Sequence, residues 1–157
     1  MNISENSRVW IYQSDRPFTA EEEQAITQIL QDFTKEWQAH GQALAALAEI
    51  FHHQFIVISV DEQIAGATGC SIDKSVHLMQ SIESKFNLNL FDRFRMAYKS
   101  GDNIINCSRV EFEDHIKNGL VTSETLVFNN LISSRKELET SWNIPLAESW
   151  HAKVFTI

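Results

Sequence analysis

Ala43-Leu44-Ala45-Ala46-Leu47-Ala48-Glu49-Ile50-Phe51, followed by His52-His53-Gln54 and then Phe55-Ile56-Val57-Ile58-Ser59-Val60, is the stretch whose reading decides the fold. Its first part has helical propensity, while its last part, dense in β-branched side chains, is a strong strand signal. The short His52-His53-Gln54 link suits a hairpin turn, which favours two antiparallel strands over a helix leading into a strand.

On the N-terminal side, Arg8 to Gln13 is rich in β-branched and aromatic residues and runs into Asp15-Arg16-Pro17, a first strand ending in a turn. Thr19-Ala20-Glu21-Glu22 has capping-box spacing, in which the Thr19 hydroxyl and the Glu22 carboxylate satisfy free amides at a helix start. Ile26, Ile29, Leu30, Phe33 and Trp37 then share one helical face. Gly41, after His40, predicts a left-handed cap that stops this helix near Ala39.

On the C-terminal side, Gly66-Ala67-Thr68-Gly69-Cys70-Ser71 leads into a helix from about Ser71 to Phe86, with Val76, Met79, Ile82 and Phe86 inward. Arg93 to Lys99 alternates, with Phe94, Met96 and Tyr98 on one face, and predicts a half-buried strand. Gly101-Asp102-Asn103 is a turn, Ile104 to Arg109 a strand, and Glu111 to Asn118 a short helix closed by Gly119. Thr125 to Phe128 reads as a strand. Asn129 or Asn130 then caps a last helix carrying Leu131, Leu138 and Trp142, which Asn143-Ile144-Pro145 ends. Ser149 to Ile157 alternates weakly, as an edge strand would. The order up to Lys99 is βαββαβ, so the expected fold is α+β: a ferredoxin-like core with an antiparallel sheet and a mixed C-terminal extension.

The 157 residues fit one domain, 1–157, and no repeat or Gly/Ser/Pro-rich linker divides them. A chain of this size buries roughly 70% of its unfolded surface. A net charge of −8 opposes non-specific binding to nucleic acid, which draws on a basic surface. The polar start, Met1 to Ser7, is unlike a signal peptide, and no apolar run approaches the roughly 18 residues of a membrane span. Two cysteines, Cys70 and Cys107, are too few for a disulfide framework. A cytoplasmic location is expected.

Chemistry concentrates at the strand-to-helix join. A helix N-terminus offers free amides and a positive partial charge to an anion, and Ser71, Asp73 and Ser75 stand where they would line such a site. The competing role for Ser71 or Asp73 is to cap its own helix. Cys70 lies where the same dipole favours a thiolate, making it the candidate nucleophile, although small buried cysteines are common at such joins. Gly69 to Ser75 ends in Lys74-Ser75 like a phosphate loop, but Thr68 and Asp73 stand where a Walker A motif has glycine. Asp92 and Arg93 are candidates to complete the site, and Trp150-His151 to line a pocket. Arg93, Arg95 and Lys99 form a basic row without the exposed aromatics of an RNA-binding sheet. His52 and His53 are expected in a turn. Glu111 and His115 are spaced for a metal pair but lack further ligands, so no metal and no cofactor is expected.

Trp10-Ile11-Tyr12-Gln13, His40-Gly41, Val60-Asp61-Glu62, Gly69-Cys70-Ser71-Ile72-Asp73, Leu90-Phe91-Asp92-Arg93, Phe128-Asn129-Asn130 and Ser149-Trp150-His151 together give the chain a likeness over most of its length. It resembles a small group of uncharacterised bacterial proteins of this size, often labelled "ABC transporter ATPase". The resemblance implies ATP hydrolysis and brings no catalytic residues with it. The residues themselves point to a binding or interaction protein whose partner is a small anion or another protein, with self-association into a homo-oligomer also open. The alternative is a thiol-dependent enzyme using Cys70.

Overall fold

β5 (Phe55–Val60) is buried at every residue and so occupies the middle of its sheet. It pairs antiparallel with β1 (Arg8–Gln13) on one side and β4 (Ala46–Phe51) on the other, giving the order β1-β5-β4. The structure is a computed structural model and describes residues 3–157. The predicted hairpin is present: Phe51 faces Phe55, and His52 and His53 turn the chain with φ of 54° and 61°. The fold is mixed α+β with antiparallel sheets. It divides into two compact units, the first comprising the chain up to Phe91 with Ser133–Lys136, the second Asp92–Ile132 and Glu137–Ile157.

In the first unit, Ile56, Ile58 and Val60 of β5 pack with Ile26 and Leu30 of α1 (Ala20–Glu36) and with Met79 and Ile82 of α2 (Gly69–Phe86). α1 begins as its capping box dictates: the Glu22 N–H donates to Thr19 Oγ1 at 3.1 Å, and the Thr19 N–H to Glu22 Oε1 at 2.9 Å. It ends earlier than expected. Trp37 is already extended, with its indole buried and Nε1–H donating to the Ser71 carbonyl at 2.8 Å. The chain then forms a small hairpin of β2 (Gln38–Ala39) and β3 (Gln42–Ala43). Gly41, at φ 77°, therefore serves that hairpin and not a helix cap.

A ferredoxin-like sheet would hold a fourth strand, supplied by the segment after α2. That segment, β6 (Met96–Ser100), lies in the second unit's sheet instead. The outer edge of β1 meets Ser133–Lys136: the Val9 N–H donates to the Ser133 carbonyl at 3.0 Å, Arg8 bridges Ser134, and the Arg135 N–H donates to the Ser7 carbonyl at 2.8 Å.

The second unit carries β6, β7 (Asn103–Cys107), β8 (Leu126–Phe128) and β9 (Asn143–Pro145) in the order β7-β6-β8-β9. β6 starts later than predicted, because Asp92 accepts the Phe94 N–H on its carboxylate and the Arg95 N–H on its carbonyl, turning the chain first. Met96 and Tyr98 face the core as expected, whereas Phe94 is exposed. α3 (Arg109–Lys117) opens on a Ser108–Glu111 capping box and sets Phe112 among Tyr98, Cys107, Val127, Leu146 and Phe155. The last helix does not start at Asn129 or Asn130. Asn129 takes the Leu131 N–H at 3.1 Å and Asn130 the Trp142 indole N–H at 2.9 Å, and α4 spans only Arg135–Thr140. Asn143-Ile144-Pro145 pairs as β9, and the tail folds into a short helix, α5 (His151–Val154), rather than an edge strand. Among the described residues no helix is long and apolar enough to cross a membrane.

Candidate functional site

The join before α2 is organised by Thr68 and not by a cap at Ser71 or Asp73. Thr68 is the N-cap: the Ser71 N–H donates to its Oγ1 at 3.2 Å, while the Thr68 N–H donates to Ser71 Oγ at 2.7 Å. Ser71 also donates its hydroxyl to the Thr68 carbonyl at 2.9 Å and is 1% exposed, so it completes the cap and faces away from solvent. The spacing Thr68-Gly69-Cys70-Ser71 is a capping box with serine in place of the usual glutamate, which is why it is hard to see. Ser75 is buried as well and donates to the Ile72 carbonyl at 2.6 Å.

These bonds occupy two of the four amides that a helix start leaves free, those of Thr68 and Ser71. The Ala67 N–H donates to Glu62 Oε2 at 3.1 Å and the Ile72 N–H to the Thr68 carbonyl at 2.9 Å. The Glu62 carboxylate therefore sits at the mouth of the helix, where a bound anion would have to tolerate its charge.

Cys70, Asp73 and Lys74 are exposed on the opening turns of α2, and so is His77. Asp73 Oδ2 and His77 Nε2 are 3.9 Å apart, a surface pair one helical turn long. Cys70 and His77 share a face, but seven residues of helix separate them by about 10 Å along the axis. A thiol–imidazole hydrogen bond within this helix is therefore out of reach.

The remaining predicted residues lie elsewhere in the chain. Asp92 and Arg93 belong to the second unit, where both are exposed and Asp92 is the turn acceptor before β6. His151 is also in the second unit and 1% exposed: Nδ1 lies 2.8 Å from Ser149 Oγ and the ring stacks on Trp150 at 3.9 Å. Burial pushes its pKa down to about 4, so the ring is neutral at pH 7. Cys107 is packed in the second unit's core, and burial pushes its thiol up to about 11.

Glu111 and His115 are engaged separately, Glu111 with the Ser108 N–H at 2.9 Å and His115 Nδ1 with the Tyr98 hydroxyl at 2.9 Å. No group of three or more metal-ligating side chains occurs among the described residues. A shallow groove of about 450 Å³ is lined by α1 residues between Ala20 and Gln28 and by His53, whose Nδ1 is 2.7 Å from Glu23 Oε2. The sequence marked His53 as a turn residue and held no sign of this groove, which depends on the hairpin reaching α1.

No protein-family model, curated protein or solved structure matches this chain.

Proposed function

We propose that this chain is a cytoplasmic binding or interaction protein whose contact surface is the exposed face of α2 starting at the strand-to-helix join. The observation that carries this reading is the split between inward and outward residues of that helix. Ser71 and Ser75 are buried in backbone hydrogen bonds, while Cys70, Asp73, Lys74 and His77 project from the surface. The outward group offers a thiol, a carboxylate and two basic side chains to a partner without assembling a nucleophile and its base. A protein surface suits that mixture better than a small anion, given the Glu62 carboxylate at the helix mouth.

The alternative, a thiol enzyme, is separated from this reading by the rate at which Cys70 is alkylated in the native protein, assigned with Cys70→Ser and Cys107→Ser variants. We expect a rate no greater than that of free cysteine; one roughly a hundredfold greater would favour the enzyme. Release of phosphate from magnesium–ATP by the purified chain tests the ATPase label of the resembling proteins, and we expect none. In the first unit, the order β1-β5-β4 with helices following β1 and β5 supports kinship with a ferredoxin-like core short of its last strand.

A further inference from the structure

The first unit is continuous up to Phe91 except for Ser133–Lys136, which joins it from roughly forty residues downstream. This insertion has the character of a bound ligand. Its backbone pairs antiparallel with the edge of β1: Ser133 accepts from the Val9 N–H, and Arg135 donates to the Ser7 carbonyl. The Lys136 N–H, in the first turn of α4, donates to the Glu5 carbonyl at 2.8 Å, so the edge also satisfies amides that a helix start leaves free.

One side chain supplies the anchor. The Arg135 guanidinium makes a short contact from Nη1 to Glu49 Oε1, places Nη2 3.4 Å from Glu49 Oε2, and donates from Nη1 to Ser59 Oγ at 3.3 Å. Glu49 and Ser59 share a sheet face, opposite the one covered by α1 and α2, because Glu49 faces Val57 across the strands and Ser59 lies two residues further along β5. Ser59 is fully buried, and the Arg135 side chain is only 16% exposed. Main-chain pairing for affinity and one charged side chain for selectivity is the way extended segments are read by sheet edges.

We infer that the edge of β1, backed by Glu49 and Ser59, is a recognition site for a short arginine-bearing protein segment, and that Ser133–Lys136 is its resident intramolecular occupant. A partner segment that places an arginine one residue after its bridging residue exchanges with the resident one. The site is distinct from the α2 face and stands or falls separately from it.

The test is fluorescence anisotropy with a labelled peptide matching residues 131–142, added to the full-length chain and to its Arg135→Ala variant. The peptide is expected to bind the variant saturably and roughly tenfold more tightly than the parent chain, whose site is filled. A peptide with alanine at its arginine should bind neither. Equal binding to both chains, or no binding to a folded variant, overturns the inference. Native-state hydrogen exchange of the unaltered chain decides independently if the variant fails to fold. Release of the segment requires the Val9, Arg135 and Lys136 amides to exchange at least about a hundredfold faster than those of Val57 and Ile58. Exchange at the same rate as those core amides would make the segment a permanent part of the sheet.

Discussion

The two units hold some of their polar side-chain pairs with different chemistry. The first includes two ionised pairs: Arg135 on Glu49, and Arg16 on Glu22 through two 2.8 Å hydrogen bonds, with a third contact to the Phe86 carbonyl at 2.9 Å. The second includes neutral pairs: Ser149 with His151, Tyr98 with His115, and Asn130 with the Trp142 indole. An ionised pair fails when its carboxylate gains a proton, and a buried neutral imidazole fails when it gains one. Both units are acid-sensitive for that reason, but over different ranges of pH.

The comparison is broken most directly at Arg135. Arg135→Ala strands Glu49 on a covered sheet face and is expected to cost about 3 kcal/mol, at the lower end for a severed buried pair because Glu49 keeps some solvent contact. Urea unfolding followed by Trp10 and Trp37 fluorescence measures it; a loss below about 0.5 kcal/mol would show that charge does not hold this unit.

The next effect belongs to the second unit. His151 titrates near 6.5 when unfolded and about 4 when folded, so the unfolded chain binds the proton first as the pH falls. Stability is complete above pH 6.5 and declines between 6.5 and 4 by up to about 3 kcal/mol. His151→Gln should flatten that slope, whatever its effect on total stability. The first unit responds lower: Arg16, and then the Thr19 amide, hold the Glu22 carboxyl down to about 2, so its contribution is present above pH 4.5 and lost as pH falls towards 2. Separate acid transitions reported by Trp37 and Trp142 would sharpen the contrast, and coincident ones would erase it.

Two smaller substitutions probe the local geometry of the first unit. Thr19→Ala removes one side of the α1 capping box and should cost about 1 kcal/mol. His53→Gly relieves a left-handed backbone at φ 61° and should gain about 0.5–1 kcal/mol in thermal unfolding, since the surface pair with Glu23 that it deletes is weak.

How far the sequence could be read follows from how local each signal was. The α1 capping box, the hairpin at His52-His53 and the turn at Gly101 are all specified within a few residues, and each stands where expected. The errors occur where a distant group captured a local one. Asn130, a fair helix cap by type, is held by the Trp142 indole, and Trp37 leaves its helix with its own indole bonded to Ser71. The candidate site shows the same pattern. Cys70, by type a small buried residue at such a join, is exposed, and the inward turn of Ser71 and Ser75 depends on Thr68, whose partner is a serine rather than the glutamate that marks a capping box. The presence of Asp92, Arg93 and His151 in another unit depends on topology, which no spacing encodes.

The displaced position of Ser133–Lys136 also sets a schedule for the newborn chain. A ribosome adds roughly 5–20 residues per second, so some forty residues of synthesis leave the β1 edge bare for about 2–8 seconds after Phe91 has been made. The bare strand, Arg8-Val9-Trp10-Ile11-Tyr12-Gln13, is rich in β-branched and aromatic residues, and an unpaired edge of that kind is a template for pairing with another chain. During those seconds, neighbouring nascent chains on the same messenger compete with the chain's own downstream segment for the unpaired strand, so the yield of folded protein should fall as translation slows between codons 92 and 136.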